Sequence, residues 1–281
     1  MTHFPISPEQ DEAQFQAIVE RFAEHLAASP MPAFHLIVGQ PGAGKTELIE
    51  MVKETVRDNI LVCNADELRN FHPQYDVIMR DHEPEATDIT WPAATDWNKR
   101  LIEYGVIKGF NILVETTGKD LPLILKTLEE KKAMGYINHA HIMAIPKRFS
   151  WLGIHLRYER LKERNQYGRI TKESEHDERF DKLCENVAGI VNSEHVDHVV
   201  VYTRRPLMKL DQACPVVPLT ATTGTAILAF REAVEKKMGL DDRTSFYEVS
   251  SRITELMRQR GAPSMDIEAF EEKAQKLGAE E

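Results

Sequence analysis

No run of apolar residues in this 281-residue chain approaches the roughly 20 needed to span a bilayer, so no membrane-spanning helix is expected. Cysteine is scarce: Cys63, Cys184 and Cys214 are odd in number and far apart, which argues against a disulfide framework and against a C-x-x-C metal or redox site. Cys63 lies in a strand-like run and reads as a small buried hydrophobe. Basic charge is in deficit, 35 Lys and Arg against 45 Asp and Glu for a formal net charge of −10, and polyanions are held chiefly through Lys and Arg, so general nucleic-acid binding is not expected. The first dozen residues carry acids and prolines and lack the basic-then-apolar order of a signal peptide, which makes a cytoplasmic protein the expectation. Metal-ligand spacing is also missing among the eleven histidines. His139 and His141 alternate along a strand-like run and are read as core or solvent-facing residues rather than zinc ligands.

What is present is a phosphate-binding pattern. Gly39-Gln40-Pro41-Gly42-Ala43-Gly44-Lys45-Thr46 matches G-x-x-x-x-G-K-[ST], and the apolar run from Phe34 to Val38 ahead of it supplies the required strand. Small residues let successive backbone N–H groups close around polyphosphate oxygens, Lys45 brings a positive charge, and the Thr46 hydroxyl can hold Mg²⁺. A helix starting near Lys45 adds the positive end of its dipole.

The remainder alternates strands and helices. Phe15, Ile18, Val19, Phe22 and Leu26 place an amphipathic helix over 8–28. Strands are expected at 60–64, 109–114, 139–145 and 198–203, with helices at 121–134, 149–164 and 173–193 between them. The proline-broken stretch Pro84 to Pro92 is expected to be a surface excursion, and Pro215 to Gly224 a connection. Three helices, at 226–238, 246–260 and 266–277, follow, either as an appendage or wrapped on the main domain. The pattern gives an α/β fold with a mostly parallel sheet covered on both faces; residues 1–210 form the P-loop domain, which the residues described next make kinase-like, and 211–281 a helical C-terminal extension.

A P-loop alone does not separate a kinase from a motor ATPase or a switch GTPase. The four-apolar-then-Asp-Glu run of motor ATPases is not clear here, and the guanine-specifying Asn-Lys-x-Asp segment is absent. Present instead are Asp66 after the second strand, the polar tip Glu115 to Lys119 after the third, and a basic segment from Lys147 to Arg169 with seven basic residues against two acids. Open α/β sheets place ligand chemistry at the carboxyl ends of strands. The set suits phosphoryl transfer to a small molecule, with Asp66 as base and arginines stabilising the moving group.

The sequence resembles the zeta toxins of bacterial toxin–antitoxin systems. The resemblance rests on the P-loop, on Asn64-Ala65-Asp66-Glu67 followed by His72-Pro73, on the stretch from Gly109 to Lys119, and most distinctively on Met143-Ala144-Ile145-Pro146 through Ser150, Leu152, Gly153, Arg157, Tyr158 and Glu159. It implies an ATP-dependent kinase of UDP-N-acetylglucosamine that phosphorylates the 3′-hydroxyl of the amino sugar and so blocks cell-wall synthesis. It further implies ATP and Mg²⁺ at Lys45 and Thr46, Asp66 as general base, Glu115, Thr117 and Lys119 around the sugar nucleotide, and Arg157 and Arg169 on the ATP phosphates. A small helical antitoxin of the epsilon type is the implied partner, unless the first helix or the helices after Ala226 act as a built-in inhibitor. Thr116 stands where the family commonly has glycine, which leaves open other acceptor hydroxyls, of antibiotics or nucleotides. A non-catalytic, nucleotide-dependent interaction protein is the alternative from another class.

Overall fold

The computed structural model describes residues 4–83, 85–164, 170–210, 212 and 214–279. Six strands form one sheet in the order β2-β3-β1-β4-β5-β6. They are β1 (Ala33–Val38), β2 (Leu61–Cys63), β3 (Ile112–Thr116), β4 (Ile137–Met143), β5 (His198–Arg204) and β6 (Val216–Thr220). The first five run parallel, and β6 closes the edge antiparallel to β5.

Alternation along the parallel strands divides the interior in two. Phe34, Leu36 and Val38 of β1 join Ala140, Ile142 and Val201 on one face. That face is covered by α1 (Pro8–Ala23), α5 (Ala86–Lys108), α6 (Leu121–Ala133), α8 (Glu173–Val191) and α9 (Thr223–Val234). Ile37, Leu113, Met143 and Tyr202 point to the other face, under α2 (Lys45–Thr55), α7 (Lys147–Glu163), α10 (Leu240–Gln259) and α11 (Ser264–Ala279). Runs apolar at nearly every position are what a sheet buried on both faces requires.

Two expected loops are regular structure. The stretch from Pro84 to Pro92, read as an excursion, is mostly the start of α5, with Pro92 inside the helix. Burial explains it: Ala86, Thr90, Ala94, Trp97, Leu101 and Gly105 recur at helical spacing and are all buried. That packing offsets the roughly 3 kcal/mol that an interior proline costs. Pro215 to Gly224, read as a connection, contains β6, whose Pro218 pairs with Tyr202 on an edge strand, where a missing N–H is tolerated. A short helix, α4 (Tyr75–Asp81), follows the turn at His72 to Gln74 after α3 (Ala65–Leu68), and α1 stops five residues before the expected Ala28.

The residues beyond 210 are built into the body. Besides supplying β6, they pack α9 on β5 and lay α10 along α7, with Phe246 edge-on to Phe149 at 5.8 Å and Phe270 stacked on Trp151 at 5.0 Å. Glu159 of α7, 1% exposed, takes both Arg260 nitrogens at 2.6 and 2.9 Å just past the end of α10. No helix of the described residues is long and apolar enough to cross a membrane.

Candidate active site

The P-loop leaves the carboxyl end of β1 and enters α2. Its first amide, on Gly39, donates to Thr116 O at 3.1 Å, which ties the loop to the end of β3, and the Gln40 side chain donates to Ile145 O at 2.8 Å beyond β4. Gly42 has φ +78°, and a Cβ there would lie 2.0 Å from Ser150 O, so only glycine fits where α7 crosses the loop. Gly153 makes the reciprocal approach, its missing Cβ 2.6 Å from Gly42 O. Ser150 and Gly153 of the distinctive segment are thus the ground on which the phosphate loop rests.

Ser150 Oγ lies 2.9 Å from His176 Nε2, and His176 Nδ1 lies 3.0 Å from Asp177. The order resembles a hydrolytic triad, but Ser150 and His176 are fully buried and Ser150 also donates to Lys147 O at 2.9 Å. It brackets α8 against the start of α7.

Lys45 Nζ donates to Gly39 O at 2.8 Å and to Gln40 O at 3.3 Å, folded onto the loop's own carbonyls. Burial pulls its pKa down; Glu115 and Asp66 act against that, while Arg157 and Arg179 act with it. Four charged groups from four elements therefore act on one ammonium. Glu115 lies opposite Ile37 in the register of β3 and β1, one position before the loop-anchoring Thr116. Asp66 sits in the first turn of α3, where Asn64 accepts from its amide at 3.0 Å, and its exposed carboxylate is 3.7 Å from Arg69. Glu67 beside it has its pKa raised, by burial first and by Glu115 next. Arg157 stands exposed on α7.

Other expected residues are placed less centrally. Thr46 is exposed at the start of α2, and Thr117 is half-buried. Lys119 is exposed and pairs with Glu178 of α8 at 3.9 Å. Its backbone carbonyl and that of Gly118 accept from Asn186 at 2.9 and 3.0 Å, so α8 fixes this tip. Arg169 lies outside the described residues.

Two arginines join the site without any mark in the sequence. Arg179 of α8 acts on Lys45 while paired with Glu175 at 3.1 Å, and its i, i+4 spacing from that glutamate reads as ordinary helix support. Arg204 closes β5, and its Cδ would be 3.1 Å from a Cβ on Gly44. It is 8% exposed, and its Nε and one terminal nitrogen have no hydrogen-bond partner among the described residues. It also lines a cleft of about 500 Å³ with Leu207, Leu219, Glu232 and Lys236. A buried guanidinium without an acceptor, beside a phosphate loop, is a built-in place for an anionic or polar ligand atom.

A parallel sheet with a P-loop after β1, helices on both faces and acidic groups converging on the loop lysine defines the P-loop kinase-like fold. A family model described as Zeta toxin matches residues 15–211, and the chain belongs to that family. Toxin zeta of Streptococcus agalactiae is 29% identical over 150 residues, covering 53% of this chain; the chain spans about half the length of that protein, 52%. Toxin zeta of Streptococcus pyogenes is 25% identical over 230 residues, 82% of this chain and 77% of that one. A solved structure from a characterisation of the PezAT chromosomal toxin–antitoxin system of Streptococcus pneumoniae superposes with a TM-score of 0.75 at 20% identity, over 90% of this chain and 99% of that one.

Proposed function

We propose that this protein is an ATP-dependent kinase that transfers the γ-phosphoryl group to the 3′-hydroxyl of the amino sugar of UDP-N-acetylglucosamine. The observation that carries the reading is the meeting of Asp66, Glu115, Arg157 and Arg179 around Lys45. In the step, a bond forms from the acceptor oxygen to the γ-phosphorus, the bridging bond to the β-phosphate breaks, ADP leaves, and the hydroxyl proton passes to Asp66. Positioning and charge neutralisation supply most of such catalysis. The fit of the loop to a triphosphate is supported by Gly42, held by α7 in a conformation only glycine adopts, and by the opening of α2 at the end of the loop. Mg²⁺ at the Thr46 hydroxyl would neutralise phosphate charge. Lys45, drawn off the Gly39 and Gln40 carbonyls, would reach the terminal phosphates, with Arg157 opposite. Arg169 is assigned the same role as Arg157 by the family resemblance. Glu115, Thr117 and Lys119 would line the acceptor side, and the cleft at Arg204 offers a place for the nucleoside of ATP.

The reading places the protein in the cytoplasm, where ATP and sugar nucleotides meet, as a toxin acting on cell-wall synthesis and restrained by a helical antitoxin. The toxin–antitoxin system named for its structural relative supports such a partner. Incubation with ATP, Mg²⁺ and UDP-N-acetylglucosamine is expected to give a product heavier by one phosphate, and Lys45→Ala or Asp66→Ala to abolish it. A folded, ATP-binding sample that yields no such product would overturn the acceptor. Thr116, which takes the place of a glycine next to Glu115, favours a second reading in which another small-molecule hydroxyl is the acceptor; an acceptor screen by mass spectrometry separates the two.

A further inference from the structure

One face of the sheet carries a group of imidazoles that the phosphate chemistry does not use. In register across three strands lie His35 of β1, His139 of β4 and His198 of β5. Their rings stand 4.7 and 4.6 Å apart between centroids. His141, two residues beyond His139 and on the same face, brings its Nε2 to 3.0 Å from His35 Nδ1, and its Nδ1 to 3.1 Å from the Tyr202 hydroxyl. One ligand nitrogen from each of His35, His139 and His141 falls within 4.8 Å of the others.

The chain of hydrogen bonds ends badly. Tyr202, His141 and His35 are linked in line, yet His35 Nε2 is buried without a partner among the described residues. Whichever tautomers the two rings take, one buried ring nitrogen is left as a bare lone pair or an unused donor. A metal held by His35 Nδ1 would fix the proton on Nε2 without giving that atom a partner, so the case for a ligand rests on the clustered ring nitrogens themselves.

We propose that His35, His139 and His141 form a binding site for a transition-metal dication of the zinc type. Three neutral imidazoles, two from a His-x-His pair on one strand and one from its neighbour, form a three-nitrogen set of the kind that leaves zinc a fourth position. Tetrahedral zinc with bonds near 2.05 Å sets its nitrogens about 3.4 Å apart, so the His35 and His141 nitrogens need to separate by only a few tenths of an ångström. His139 makes the larger movement. Its ring lies nearly parallel to that of His35, at 14°, and is half-buried, so rotation about its terminal side-chain bond turns a lone pair toward the other two. Tyr202 holds the outer nitrogen of His141, the contact that commonly orients a metal-bound imidazole. The exposed His198 marks the open side, where it or water completes the shell. Nitrogen donors select Zn²⁺, Co²⁺ or Ni²⁺ and discriminate against Mg²⁺, which prefers oxygen. The site is therefore chemically separate from the cation position at Thr46.

The test is titration of the full chain, without nucleotide, with Zn²⁺ by calorimetry and with Co²⁺ by visible absorption. The expected result is one saturable site, a tetrahedral-type cobalt spectrum, and no competition from excess Mg²⁺. His139→Ala leaves the buried His35–His141 pair in place and is expected to abolish the site, whereas His25→Ala, at an exposed turn, leaves it unchanged. Tyr202→Phe should weaken affinity about 10- to 100-fold. Because a variant can fail for structural reasons, nitrogen NMR of the wild-type imidazoles is the second measurement, with His35, His139 and His141 expected to shift on addition of one equivalent of Zn²⁺. Binding of equal strength in His139→Ala, absence of a saturable site, or imidazole resonances unmoved by Zn²⁺ would each overturn the proposal.

Discussion

The Lys45 ammonium spends its donors on the carbonyls of Gly39 and Gln40, so in the proposed reaction a triphosphate would exchange two neutral acceptors for charged oxygens. The exchange would be favoured because Lys45 is partly removed from water, and Arg157 and Arg179 oppose its charge while Glu115 and Asp66 favour it. Arg157 itself is exposed, in a position to act on a group that arrives rather than to hold the fold. Arg157→Ala is expected to cut kcat about 10²- to 10³-fold, the usual cost of losing one transition-state donor, while nucleotide affinity measured by calorimetry changes little. Asp66, Glu115 and Arg157 could be proposed from the sequence because each stands in a recognisable stretch. Arg179 and Arg204 were not, since a lone arginine on a helix or at a strand end has no local signal until the fold brings it to the loop.

Among the elements, α7 carries the most. Its first turns seat Gly42, its middle presents Arg157, and Glu159 fastens it to Arg260. Gly153→Ala would put a methyl 2.6 Å from the Gly42 carbonyl, where the obstacle is backbone and cannot swing aside. It is expected to destabilise the protein by about 1–3 kcal/mol, as overpacking does, and to remove most of the rise in melting temperature that ATP produces in the parent. Gly224→Ala in α9, where nothing lies within 4 Å of the added methyl, should be neutral or stabilising by up to about 1 kcal/mol, and both are read from thermal unfolding with and without ATP. The same scale shows why the first turns of α5 and the whole of β6 escaped the sequence. Pro92 and Pro218 are local breaking signals, and only the burial of Trp97 and Leu101, or the edge position beside β5, overrides them.

At the scale of the whole molecule, the histidines of the sheet make stability depend on pH in the metal-free protein. Burial pushes His35 and His141 down to about 3 from an ordinary value of 6.5, so both stay neutral while folded and take up protons when the chain unfolds. The unfolded state binds more protons between those values. Stability is therefore whole above about pH 6.5 and is lost as the pH falls below it, at up to about 2.7 kcal/mol per pH unit for two rings. Urea midpoints between pH 7 and 5 should show that slope, and His141→Gln should reduce it by about one proton. A slope unchanged in the variant would remove these rings as its cause. What the sequence by itself determined was whatever is written locally: the phosphate loop, the alternation that gives a mostly parallel sheet, and the separated stretches that mark the family. Tertiary structure alone decided how residues 211–281 complete the sheet and the second core, and which charges meet at Lys45. It also brought His35 to His139 and His141, more than a hundred residues away. The reason is that strand register and helix packing, not distance along the chain, set which side chains share a space.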